Sequence, residues 1–167
     1  VQTCALPICI LLNALARNVD LPGVRGVVAF SSPLAFGAVS RSLASPRNLV
    51  YDTWFVWKLK ALLRTYIRKG KGGERYRAYL AELARVRSVF EFDDRLTAPL
   101  SGFERADAYY HAASPGPLLA SIQVPTHLVL AADDPFVPLR DQLPYLEALP
   151  NDHPLKWMVT PRGGHVA

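Results

Sequence analysis

Apolar positions change their spacing several times along the chain, and each change marks an element. From Ile10 to Arg17 the run ILLNALAR has the spacing of a buried helix, and NVDLPG stops it. Val24 to Phe30 is a short apolar strand without polar alternation, the pattern of a parallel strand covered on both faces. Asn48 to Lys69 reads as an amphipathic helix with Leu59, Leu62, Leu63 and Tyr66 on one side and Lys58, Lys60, Arg64 and Arg68 tending to the other. GKGG breaks it, and ERYRAYLAELARVRSV has good helical propensity throughout. FDDRLTAPL reads as a structural loop tying the cap to the sheet, and after FEFDDRLTAPLSGF a weaker helical stretch runs from Glu104 to Ala112. After SPGP and a short helical turn come a strand from Thr126 to Ala132, a helix around Asp141 to Leu149 and a strand from Leu155 to Thr160.

Strands and helices that alternate at both ends predict the α/β class, with parallel strands in one sheet. The helical stretch from about 36 to 122 is far longer than an ordinary connection, so it is expected to form a cap inserted between two sheet strands.

Half of the 167 residues are hydrophobic and 20% are charged, which gives one domain with a real core rather than a disordered chain. The net charge of +5 is local: Lys58 to Arg77 holds eight basic residues and one acid, Glu74. A chain-wide nucleic-acid footprint is therefore not indicated, and the basic run reads first as a solvated helix face. Cys4 and Cys9 are too few and too close to form a disulfide framework, which leaves the cytoplasm as the default compartment. CALPICILLNALA is too short to span a bilayer and lacks the basic start of a signal peptide.

Candidate chemistry sits at two strand ends. The apolar run before Ala132 stops on Asp133 and Asp134, two carboxylates that repel each other and cost desolvation if both are buried. Either both belong to a solvated turn, or a neighbouring group needs one of them. The next strand is followed by PRGGHVA, which places His165 on a glycine pair. Ligands of open α/β sheets bind at the carboxyl ends of the strands. A carboxylate beside a histidine there makes two members of a nucleophile, base and acid relay. His111, His127 and His153 read as a helix-surface, a strand-start and a loop histidine. Asp93 and Asp94 lack the His or Cys company of a metal site. No cofactor is expected.

The segments SPRNLVYDTW, FEFDDRLTAPLSGFERADAYYHAAS, VPTHLVLAADDPFVP and GGHV, in that order, resemble the YheT-like branch of the α/β-hydrolases, relatives of the animal abhydrolase-domain esterases. The likeness covers nearly the whole chain after Ile8. It implies a serine hydrolase acting on carboxylic (acyl) esters, with Asp134 as the triad acid and His165 as the base. Asp134 is preferred to Asp133 because it stands four residues before Pro138, as in similar hydrolase loops. The resemblance also implies a G-x-S-x-G elbow just before ILLNALAR. VQTCALPI stands there instead, and Ser31, Ser32, Ser40 and Ser42 have no such glycine flanks.

VQTCALPI is the in-frame translation of a stretch resembling a sequencing-library adapter. Residues 1–8 are accordingly expected to be artefact, residues 9–167 a partial α/β-hydrolase domain, and the chain alone inactive. Its partner is expected to be a small-molecule acyl ester or lipid, without nucleic acid, and with peripheral membrane contact through the basic aromatic helix. The competing reading is a non-catalytic relative that binds lipid or a membrane surface, motivated by Tyr51 to Arg68.

Overall fold

The computed structural model describes residues 5–69 and 78–165. The first four of the eight expected adapter residues lie outside that range. So do the GKGG break, the start of the second expected cap helix, and Lys71, Arg75 and Arg77 of the basic run.

The chain divides into two compact units, one comprising residues up to Ser42 and from Tyr110 onward, the other Leu43–Tyr109. In the first, α1 (Ala5–Ala16) ends where the sequence provides an asparagine. Asn18 adopts φ +54°, and Val19 N–H donates to Ala14 O while Asn18 N–H donates to Leu15 O. These are the paired bonds that close a helix through a left-handed residue. Then follow β1 (Val27–Phe30), α2 (Phe36–Leu43), which starts in this unit, β2 (Thr126–Ala131) and β3 (Leu155–Thr160). The strands form one parallel sheet in the order β1-β2-β3, with Ala29 beside Leu128 and Leu128 beside Trp157. A 3₁₀ turn (Gly116–Ser121) precedes β2, and a helix (Leu139–Glu147) joins β2 to β3.

The sheet is covered on one face only among the described residues, which corrects the expectation of cover on both. Leu12 and Leu15 of α1, Leu119 of the 3₁₀ turn and Leu146 of the β2–β3 helix all converge with Ala29, Leu128 and Leu130. Side chains alternate along a strand, so the intervening positions face away, and Val28 (60% exposed) and Phe30 (51%) stand open. The core itself is tight. Gly116 N–H donates to Leu34 O at 2.9 Å, and a Cβ on Gly116 would lie 2.7 Å from that oxygen and 2.8 Å from the Tyr145 ring. Gly116→Ala is expected to cost about 1–3 kcal/mol, read as a lower urea midpoint with an unchanged slope.

Cys9 lies in this core, its thiol 3.2 Å from Pro33 O and 3.7 Å from Ser32 Oγ. Burial pushes the thiol up to about 12, with the Ser32 hydroxyl opposing weakly. Its thiolate fraction at pH 8 is then roughly a thousandfold below that of a free cysteine. Native Cys9 is therefore expected to resist iodoacetamide at pH 8 and to react once the chain is unfolded, as peptide mass mapping would show.

The second unit is built on α3 (Leu49–Arg68). Its inner stripe is Asp52, Val56, Leu59, Leu63 and Ile67, and Val56, Leu59 and Leu63 pack with Leu83, Val86, Phe92 and Leu96. Leu62 and Tyr66, expected on the apolar side, are 67% and 40% exposed. The stripe keeps Leu59 and Leu63 and is completed by Val56 and Ile67 rather than by Leu62 and Tyr66. The second cap helix is short in its described part, α4 (Leu80–Arg85). Val86 turns extended, and its carbonyl accepts from Lys60 Nζ at 2.6 Å.

FDDRLTAPL, expected as a loop, is helical throughout. Its segment forms α5 (Val89–Phe92), a π-helical turn (Asp93–Thr97) and α6 (Ala98–Leu100). Ser88 starts it by accepting from Glu91 N–H, and buried Asp52 takes the Val89 N–H at 2.9 Å. Gly102 at φ +86° ends it, with Phe103 N–H donating to Ala98 O. Asp93 accepts from Thr97 Oγ1. Asp94 binds Arg105 Nε and the Ala106 amide, at the start of α7 (Ala106–Ala113). The amide and then the guanidinium hold the Asp94 carboxyl below the usual carboxylate range. Both acids thus serve the local fold.

Candidate active site

Two neighbouring parallel strands bring the sequence-predicted residues together. β2 and β3 stay paired to their ends, with Ala131 beside Thr160 and Ala132 N–H donating to Thr160 O at 2.9 Å. The chains leaving these two ends therefore start side by side. The one after β2 carries Asp133 and Asp134, and the one after β3 carries His165.

Asp134 is held in a tight turn. Its Oδ1 accepts from Phe136 N–H at 2.8 Å and from Val137 N–H at 2.9 Å. Its Oδ2 is thereby aimed at His165 Nδ1, 3.0 Å away. The Asp134 side chain is 2% exposed and that of His165 21%. Oδ1 takes two backbone donors, and an ionised carboxylate only accepts, so Oδ2 pairs with the His165 tautomer that carries its proton on Nδ1. In neutral His165, Nε2 is then left as an acceptor. The Phe136 ring stands edge-on to the imidazole, with centroids 5.2 Å apart and planes at 74°, which restrains its rotation.

Asp133 does more than was read from the sequence. It is exposed, but its Oδ1 accepts from Gly164 N–H at 2.8 Å. Gly164 adopts φ +57°, a conformation glycine takes without strain. One acid of the pair therefore holds the histidine ring and the other holds the backbone beside it. The doublet of acids and the glycine pair were signals for this second bond, whereas nothing in the sequence marked Phe136.

The other histidines are placed elsewhere. His111 and His127 are exposed, and His153 is buried between Ala120 O and Leu155 N–H. Of the serines near β1, Ser42 donates to Pro135 O, and Ser40 accepts from Tyr110. Among the described residues no group of three or more His, Cys, Asp or Glu could hold a metal ion.

No family model matches the chain. Individual proteins do. Over 147 residues, 88% of this chain and 42% of the other, it is 34% identical to YheT of Escherichia coli (strain K12), an esterase by name. Over 157 residues it is 28% identical to human phospholipase ABHD3, covering 94% of this chain and 37% of that one. The chain belongs to the α/β-hydrolase superfamily, in its YheT-like branch. A monoacylglycerol lipase of Saccharomyces cerevisiae is also similar, 36% identical over 84 residues, half of this chain and 18% of the lipase. The chain thus spans about two fifths of the length of the first of these α/β-hydrolases. Its parallel sheet with flanking helices is consistent with part of that fold.

Proposed function

We infer that the parent protein is a serine hydrolase of carboxylic esters carrying acyl or lipid groups, and that Asp134 and His165 are its acid and base. The observation that carries this reading is the 3.0 Å contact between Asp134 Oδ2 and His165 Nδ1 at adjacent strand ends. The names of the relatives, an esterase, a phospholipase and a monoacylglycerol lipase, support ester substrates.

In this reading His165 Nε2 takes the proton of a serine hydroxyl as its oxygen attacks the ester carbonyl. Asp134 stabilises the imidazolium that forms. The proton then passes to the departing alkoxide, and a water repeats the sequence on the acyl-enzyme. We place the serine outside these 167 residues, since Ser31, Ser32, Ser40 and Ser42 lack the elbow glycines.

The test is to sequence the source gene across the codons for Ile8 to Leu12 and express its whole reading frame. The expected result is a G-x-S-x-G ahead of ILLNALAR and hydrolysis of p-nitrophenyl acyl esters that a sulfonyl fluoride abolishes. A gene without that serine, yielding no hydrolysis, would leave the non-catalytic lipid-binding relative as the better reading.

A further inference from the structure

The second unit turns an aromatic and cationic helix face to solvent. Opposite the buried stripe of α3, Val50, Trp54, Trp57 and Ala61 follow one another at helical spacing. Val50 is 79% exposed, Trp57 60% and Trp54 40%. With Leu49 and Thr53 they form an open, almost wholly apolar patch. Exposed indoles in a row are costly to leave in water and mark a surface that meets something apolar.

Charge decides what that is. Lys58, Arg64, Arg68 and Lys69 are exposed on this helix and its C-terminal cap, whereas its only acid, Asp52, is buried and occupied by the Val89 amide. Lys58 Nζ lies 5.3 Å from the Trp54 ring centroid and 5.0 Å from that of Trp57. This packs an ammonium beside the two indoles, as at the headgroup level of a bilayer. No described helix is long and apolar enough to cross a membrane, and cations are spread along the second half of α3. A helix of this composition lies in the interface plane, its aromatic residues among the acyl chains and its cations at the phosphates.

We propose that the outward face of α3, centred on Trp54, Trp57 and Lys58, docks on the surface of an anionic phospholipid bilayer. Lipid fits better than nucleic acid because Leu49, Val50 and Leu62 are aliphatic and suit hydrocarbon, and Lys58 lies over both indole rings, where a stacking base would have to sit. The proposal is independent of the triad, because vesicle binding can be measured without any hydrolysis.

The experiment uses the full 167-residue chain with vesicles of phosphatidylcholine alone and of phosphatidylcholine mixed with phosphatidylglycerol. Co-sedimentation with the anionic vesicles is expected, weakening as salt is raised, with a blue shift of indole emission and quenching by brominated acyl chains. Trp54→Ala with Trp57→Ala should weaken partition about tenfold or more, because two apolar anchors are lost. Lys58→Glu, Arg64→Glu and Arg68→Glu together should abolish it, with circular dichroism unchanged since all three point outward. Equal binding to neutral vesicles, or anionic binding that survives both sets, would overturn the proposal. So would tighter binding to a single-stranded oligonucleotide than to vesicles, or a dimer in sedimentation equilibrium that buries the indoles and excludes vesicles.

Discussion

Replacing His165 by alanine in the gene-length enzyme should lower kcat for ester hydrolysis on the order of 10⁴-fold or more, with KM little changed. In the proposed mechanism the loss falls on kcat because the imidazole moves a proton only as the tetrahedral intermediate forms and collapses. Stability should fall modestly, by about 1–2 kcal/mol, since the buried Asp134 loses one donor but keeps the Phe136 and Val137 amides. That separates a chemical defect from a folding one, and a thermal melt beside the rate measurement reads both. A variant working within tenfold of the wild type would show that another group is the base.

Asp134→Asn tests a different property of the pair and should cost about as much, roughly 10⁴-fold in kcat. The Phe136 and Val137 amides both point at Oδ1, so an asparagine must turn its oxygen toward them. Its NH₂ group then faces His165 Nδ1. That nitrogen can no longer donate, the proton shifts to Nε2, and the acceptor that the proposed mechanism needs there is lost. The ring stays in place while its tautomer inverts. Long-range ¹⁵N correlation spectra of the 167-residue chain would show the inversion without turnover. An unchanged tautomer would remove the basis for assigning Asp134 its positioning role.

The elements around this pair were legible in the sequence because they rest on local signals. β2 and β3 are short apolar runs ending on acids or glycines, and the stop after α1 is written in Asn18. The cap was harder to read, since its helices are defined by which residues tertiary packing buries. Leu62 looks as apolar as Leu63, and only the cluster around Leu83 and Leu96 decides which of the two turns inward. The helical FEFDDRLTAPLSGF did leave a trace. Ser88 and Glu91 have the spacing of a helix-start pair, and Gly102 stands where a helix would close. The two aspartates and Pro99 outweighed that trace in a reading by composition. The open sheet face could not be read from β1 either, because VVAF carries no polar residue to show which side meets water.

The placement of Asp134 and His165 on two adjacent strand ends has a consequence for recombining relatives. Most of what sets their distance lies between Thr126 and His165: the β2–β3 register, the Asp134 turn and the tie from Asp133 to Gly164, with Ser42 Oγ–H to Pro135 O as the one side-chain bond to the turn described above that comes from outside. A chimera that inherits this stretch as one block keeps those contacts together, provided that a serine stands at position 42 to meet Pro135 O. A crossover inside the helix at Leu139–Glu147 takes the carboxylates from one parent and the histidine loop from the other, and makes their fit depend on chance. Library designers would place their junction before Thr126.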